Sequence, residues 1–107
     1  MARKIRWAPR AADLLEEAVE YIANDSPAAA RQLATAIVAA AESLAEFSER
    51  GRVVPELGDR RYRELLVSSY RLVYRVSEEA VNIVAVVHGA RDFRSWWKRN
   101  RPERSPN

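Results

Sequence analysis

The second half of the chain holds the side chains that could carry out acid–base chemistry on a phosphodiester. His88 is the only histidine, and it ends an apolar run. A metal-free ribonuclease needs a base for the ribose 2′-hydroxyl, an acid for the leaving oxygen and cations for the charge on phosphorus. Either Glu56 or Glu64 could supply the base, and His88 could supply the acid. The arginines that could act as the cations are Arg63, Arg71 and Arg91.

The structural interpretation of this set outweighs the catalytic one. A single histidine among scattered arginines is a loose pattern, with no spacing that fixes a catalytic geometry. His88 could equally close a buried strand as a hydrogen-bonded structural residue.

A binding surface is the second interpretation of the arginines. The segment 70–76 (YRLVYRV) alternates so that Arg71, Val73 and Arg75 share one side of a strand. We expect helices to cover only the other side, leaving this basic side open to phosphate or to an acidic protein segment. The alternative is a solvated outer face, which is normal for an antiparallel sheet. Arg63, at the entry of the preceding strand, could contact a partner or prevent edge pairing.

Two adjacent tryptophans, Trp96 and Trp97, stand in a basic C-terminal segment. From Arg91 onward the chain has six basic and two acidic residues, a net charge of +4. Aromatic side chains among cations can stack on bases or anchor a protein interface. They can also close over the end of a core. We expect one tryptophan to be buried and the other exposed, in a tail that makes one helical turn and is then disordered.

The first half predicts two helices. Pro9 suits the first turn of a helix that runs to about residue 23. Ser26 is a predicted N-cap for a second helix that begins at Pro27. The apolar stripe of this second helix is predicted to continue to Phe47. The short connection makes the pair an antiparallel helical hairpin.

Strands are predicted on both sides of the hairpin. Residues 4–8 (KIRWA) alternate as a short strand, and residues 49–61 form a loop. Residues 63–67, 70–76 and 80–88 then predict three strands joined by tight turns. The order predicts an α+β fold, in which an N-terminal strand and three C-terminal strands form a small antiparallel sheet with the helical hairpin packed on one face.

Composition limits the remaining possibilities. The 107 residues suit a single domain, predicted to span residues 1–93 and to precede a basic tail at 94–107. The absence of cysteine, with one histidine, excludes disulfides and thiolate or histidine-rich metal sites, so no metal or cofactor is expected. No apolar stretch is long enough for a membrane span, and we expect a cytoplasmic protein. Residues 1–48 carry a net charge of −2 and residues 49–107 one of +5, which favours an anionic partner.

Six short motifs, taken in order, carry a family resemblance. They are WAPRAADL (7–14), YIANDSPAAA (21–30), GRVVPEL (51–57), REL (63–65), YRLVYRV (70–76) and VVHGARD (86–92). Together they resemble the RelE/ParE superfamily of bacterial type II toxins, and within it the ParE-like branch. The chain departs from the pattern at Ser48, where relatives often have proline, and in its long basic tail.

The resemblance implies a toxin that is paired with a cognate antitoxin, whose C-terminal segment wraps over the toxin in a hetero-oligomer. In ParE-like members the toxin inhibits DNA gyrase by binding, and no residue is catalytic. RelE-like members cut messenger RNA on the ribosome, which is the alternative function. A family member that only binds its antitoxin is a third possibility. The residues expected to contact antitoxin or target are Arg63, Arg71, Val73, Arg75, Arg91, Trp96 and Trp97.

Overall fold

The computed structural model describes residues 2–100, which form five strands and three helices. In chain order they are β1 (Lys4–Trp7), α1 (Pro9–Ala23), α2 (Pro27–Ser43), β2 (Arg52–Val53), β3 (Tyr62–Val67), β4 (Tyr70–Val76), β5 (Ala80–His88) and α3 (Phe93–Asn100). No helix among the described residues has the length and apolar character that crossing a membrane requires.

All five strands belong to one sheet, in the order β1-β5-β4-β3-β2. The predicted α+β fold with a helical hairpin on the sheet is confirmed. The sheet is mixed rather than wholly antiparallel, because β1 pairs in parallel with β5. Two helices intervene between β1 and the other strands, so no tight turn ties β1 to a neighbour, and it extends the sheet at the free edge of β5. The segment predicted as a loop contains the two-residue edge strand β2.

The hairpin of α1 and α2 covers one side of the sheet, and its helix starts are those predicted. Pro9 opens α1, and Ser26 caps α2 by accepting a hydrogen bond from the Ala29 N–H at 3.1 Å. The apolar faces of the two helices pack on alternate residues of the strands. The buried members of this hairpin-side core include Leu33, Ile37, Leu44, Leu72, Tyr74, Val81 and Ile83.

The predicted extension of the second helical stripe to Phe47 is wrong. Helix α2 ends at Ser43, and the Leu44 side chain is still buried, but the chain then turns. The Ala45 carbonyl accepts a hydrogen bond from the backbone N–H of Arg3, which holds this turn against the N-terminal segment. Phe47 lies past the turn and is 67% exposed.

The opposite side of the sheet is also covered, which corrects the prediction that it is open. A bulge in β5 opposite Val73 and Tyr74 places both Val84 and Ala85 on this side. Helix α3 packs there through three aromatic side chains. The buried members of this α3-side core are Val54, Val73, Val84, Ala85, Val87, Phe93, Trp96 and Trp97. Strand β5 is therefore apolar along its length because both of its sides are buried.

Substitution of Trp96 by alanine should destabilise the whole domain. Trp96 is 2% exposed, so truncation leaves a large cavity between α3 and the sheet, and we expect a loss of about 3–5 kcal/mol in the free energy of unfolding. Urea denaturation followed by circular dichroism would measure it. Arg94→Ala, on the exposed side of the same helix, should change stability by less than about 0.5 kcal/mol. Equal effects of the two substitutions would contradict the packing of α3 described above.

Candidate functional site

A buried guanidinium group lies on the α3 side of the sheet, held by two carboxylates. Arg71 is only 7% exposed. Its Nη1 and Nη2 donate to the two oxygens of Glu56 at 2.8 and 2.6 Å, and its Nε donates to Glu64 Oε1 at 2.6 Å. Arg52 donates to the other Glu64 oxygen at 2.7 Å. We call these four residues the arginine–glutamate network.

The register of the sheet assembles the network from three strands. Glu64 on β3 pairs directly with Arg52 on β2, and Arg71 on β4 lies on the diagonal from Glu64. Glu56 reaches Arg71 from the turn that follows β2. On its remaining side, the guanidinium carbon of Arg71 lies 4.3 Å from the centre of the Phe93 ring, within range of a cation–π contact. The network therefore links β2, β3 and β4 to the first turn of α3.

The network is electrically balanced. Two arginines and two glutamates carry no net charge, and the side chain of Glu64 is completely buried. The hydrogen bonds between Arg71 and Glu56 raise the pKa of Arg71 above its ordinary value. The hydrogen bonds from Arg71 lower the pKa of Glu56 below its ordinary value of 4.5. Both groups are held charged at neutral pH, and charged groups paired in this way suit a structural role better than proton transfer.

His88 lies on the other side of the sheet. It pairs with Tyr70, and the two rings meet edge to face with centroids 5.1 Å apart. Tyr70 belongs to the hairpin-side core, whereas Arg71 faces Phe93. His88 is exposed, and its Nδ1 accepts a hydrogen bond from the Ala90 N–H at 3.0 Å. The imidazole and the Arg71 guanidinium thus face opposite sides of the sheet.

The other predicted ribonuclease residues, Arg63 and Arg91, do not join the arginine–glutamate network. Arg63 pairs with Tyr74 on the hairpin side and donates from Nη1 to the Gly51 carbonyl at 2.8 Å. Arg91 is exposed in the turn after β5, where its backbone N–H donates to the His88 carbonyl. The set of Glu56, Arg63, Arg71, His88 and Arg91 is therefore divided between the two sides of the sheet and the turn.

The predicted open face formed by Arg71, Val73 and Arg75 is wrong for two of its three members. Val73 is fully buried and Arg71 nearly so, because α3 packs over them. Arg75 is half-buried. The predicted alternation along β4 is confirmed, since Arg71, Val73 and Arg75 share one side of the strand. Its other side carries Tyr70, Leu72 and Tyr74, which pack in the hairpin-side core.

The prediction that one tryptophan is exposed is also wrong. Trp96 and Trp97 are 2% and 8% exposed. Trp97 meets the Tyr62 ring edge to face at 5.1 Å and stacks on Phe93 at 5.7 Å. The first seven residues of the predicted tail, 94–100, thus belong to a packed helix. Residues 101–107, where disorder was predicted, lie outside the described part of the chain.

A shallow groove of about 300 Å³ lies beside the β3–β4 turn, and the sequence does not predict it. It is lined by Arg52, Leu66, Ser68, Ser69, Tyr70, Arg71 and Gly89. Leu66 is 63% exposed, although it stands in a strand. The alternation of β3 contains the signal, because Leu66 has the opposite phase to the inward-facing Leu65. Within residues 2–100, no group of three or more acidic or histidine side chains could hold a metal ion.

Comparison with known proteins identifies the family. The family model described as the ParE toxin of the type II toxin–antitoxin system parDE matches residues 5–93. The chain belongs to the ParE toxin family. This span runs from β1 through β5 to the first residue of α3.

Two relatives are toxins by name, and one solved structure shares the fold. Toxin RelE2 of Caulobacter vibrioides is 39% identical over 89 residues, which cover 82% of this chain and 97% of the relative. Putative toxin Y4kP of Sinorhizobium fredii is 37% identical over 91 residues, covering 82% and 91%. A structure described as the chromosomal ParDE toxin–antitoxin system from P. aeruginosa matches with a TM-score of 0.67 at 19% identity, covering 81% of this chain and 96% of that one. The structural match supports the fold. Membership of the ParE family implies an antitoxin partner.

Removal of the Arg71 guanidinium should be strongly destabilising. Arg71→Met leaves the buried Glu64 with only Arg52 as a partner, and an incompletely paired buried charge costs about 3–5 kcal/mol. Glu56→Gln is the matched comparison, because Glu56 is partly exposed and its loss leaves the Arg71–Glu64 pair intact. It should cost about 1 kcal/mol. Chemical denaturation of both variants would test the order, and a larger effect for Glu56→Gln would contradict it.

The stability of the protein should depend on pH through Glu56. Because Arg71 lowers the folded-state pKa of Glu56, this carboxylate stabilises the fold above about pH 4.5, and the contribution is lost as the pH falls through the folded-state value. The stability gap between wild type and Glu56→Gln should therefore close as the pH falls from about 7 to about 3. Urea midpoints measured across that range would show it. A gap that stays constant would mean that Glu56 has the same pKa in both states.

Proposed function

We propose that this ParE-family protein inhibits DNA gyrase by binding, without catalysis of its own, and that a cognate antitoxin neutralises it. The observation that carries this proposal is the division of the candidate ribonuclease residues between the two sides of the sheet. A general acid must reach the same phosphodiester as the base and the cations. His88 faces the hairpin side, while Glu56 and Arg71 lie on the α3 side, with their hydrogen-bonding groups paired to each other.

The state of the arginine–glutamate network also favours binding over catalysis. A base for a 2′-hydroxyl must have a free lone pair near its operating pH, and a cation must have donors left for the phosphorane. Three of the five N–H donors of the Arg71 guanidinium go to glutamate oxygens, Arg71 is only 7% exposed, and the Glu64 side chain is inaccessible to solvent, so burial keeps this set from a phosphate. Recruiting this set to RNA would require breaking buried ion pairs.

The exposed groove beside the β3–β4 turn is the better place for the antitoxin segment than the buried face of β4. Leu66 offers an exposed apolar contact, and the side chain of Arg52 stays 58% exposed although it is paired with Glu64. An antitoxin segment with one apolar and one acidic side chain would suit this surface. In this proposal Arg71 supports the groove from beneath, and Arg75 and Val73 make no direct contact.

The ribosome-dependent endoribonuclease remains the second candidate, and one observation favours it. His88 is exposed at the end of β5 and lies beside Tyr70, so substrate could reach its imidazole. In that function His88 would be the general acid, and its loss would abolish toxicity. Gyrase inhibition gives His88 no such role, and this difference separates the two candidates.

The test combines a gyrase assay with one substitution. Purified protein added to gyrase and supercoiled plasmid should make linear, protein-linked DNA accumulate, and the antitoxin should prevent this. His88→Gln, at an exposed position, should keep the fold, the cleaved-DNA product and growth inhibition when expressed without antitoxin. If His88→Gln removes growth inhibition and the folded wild type has no effect on gyrase, the ribonuclease function replaces the proposal. A wild type that inhibits neither growth nor gyrase would leave a protein that only binds its antitoxin.

A further inference from the structure

The outer surface of α3 and the turn before it present four exposed cations. Arg91, Arg94, Lys98 and Arg99 are all exposed, and within residues 2–100 none forms an ion pair with a carboxylate. The nearest carboxylate in sequence, Asp92, accepts hydrogen bonds from the backbone N–H and hydroxyl of Ser95, and Arg94 and Arg99 act on it only through Coulomb attraction at longer range. We call these four residues the basic surface of α3.

Four other arginines in the fold show a different pattern. Arg10, Arg52, Arg61 and Arg71 each form an ion pair with a glutamate or an aspartate. The charges of these four arginines are therefore paired with carboxylates of the same molecule. The charges on the basic surface of α3 are available to an external anion.

Buried aromatic side chains hold this surface in a fixed geometry. Phe93, Trp96 and Trp97 lock the inner side of α3 to the sheet, so its outer side cannot rotate or fray freely. Arg94 and Lys98 are four residues apart on one helical face, about 6 Å along the axis. Because the helix backbone is already fixed, binding of an anion needs to order only the side chains of these cations.

The charge extends across the same side of the sheet and reverses on the other. Ile5 and Trp7 of β1 pack towards the hairpin, which leaves the exposed Lys4 and Arg6 on the α3 side. Residues 9–43, which span the hairpin, contain two basic and six acidic residues, a net charge of −4. The exposed acidic residues on α1 are Asp13, Glu16, Glu17 and Glu20. A polyanion would therefore be attracted to the α3 side and repelled from the hairpin side.

We propose that the basic surface of α3 binds the phosphate backbone of duplex DNA directly. A protein partner is the weaker fit, because protein interfaces are centred on apolar and aromatic side chains. All three aromatic residues of α3 face inward. The large apolar side chains that are exposed in the described residues, Tyr21, Val38, Phe47 and Leu66, all lie outside α3 and β1. Unpaired cations without an apolar centre match the charge-driven contacts made with phosphates.

This DNA contact is independent of gyrase, so it can hold or fail separately from the proposed inhibition. In a complex with gyrase and DNA, the basic surface of α3 would let the toxin bind the DNA as well as the enzyme. By itself it predicts weak binding that does not depend on sequence and weakens steeply with salt.

Fluorescence anisotropy with the full chain and a labelled duplex of about 20 base pairs would test the proposal. With three to four phosphates contacted, the slope of log Kobs against log salt concentration should be about −3. Arg94→Ala with Lys98→Ala should reduce the magnitude of the slope by about 2. At about 0.1 M salt the affinity should fall at least about tenfold, because two phosphate contacts are lost.

The matched control removes the same charge from the hairpin. Arg10→Ala with Arg31→Ala changes the net charge equally, on the acidic side of the molecule, and should leave DNA binding nearly unchanged. Equal losses in the two double variants would overturn the proposal, as would the absence of binding by the wild type at about 0.05 M salt. Tighter binding to a polyglutamate peptide than to DNA at the same salt would identify an acidic protein as the ligand instead and would also overturn it.

Discussion

A strand that is apolar on both of its sides can be buried only if something packs against each side of the sheet. Strand β5 imposes this requirement on the fold, since all but two of its nine residues are buried. The helical hairpin satisfies it on one side. Helix α3 satisfies it on the other, with Phe93, Trp96 and Trp97. The positions of the arginine–glutamate network and of the basic surface of α3 follow from this second cover.

The sequence carries a good part of this arrangement. The helix starts at Pro9 and Pro27, the cap at Ser26 and the strands β3 to β5 all follow from local rules about proline, hydroxyl caps and alternation. These features depend on neighbours in the chain, so a single sequence reveals them. The nearly all-apolar character of β5, together with two adjacent tryptophans after it, also contained the signal for a second cover. The sequence does not predict this second cover, because Arg71 and Arg75 on β4 make the α3 side of the sheet resemble a solvated surface.

The remaining features depend on contacts between distant residues. Burial of Arg71 is tolerated because Glu56, Glu64 and Phe93 surround it, and none of these partners is implied by the alternation of β4 alone. The parallel pairing of β1 with β5 depends on the path of the intervening helices. The end of α2 at Ser43 depends on a turn held by the N-terminal segment. For the same reason, the separation of His88 from Arg71 became visible only once the register was known.

The pairing of β1 with β5 also constrains the order in which the toxin can form. Lys4 is the partner of Ala80 and Trp7 is the partner of Ile83, so the first strand cannot take its place until almost the whole sheet has been translated. Contacts at such sequence separation form late because the loop between them must first be closed. During synthesis the hairpin can form early, but β1 must wait for its only neighbour in the sheet. A newly made chain therefore passes through an interval in which the hairpin has formed and the sheet is still incomplete at the β1 edge.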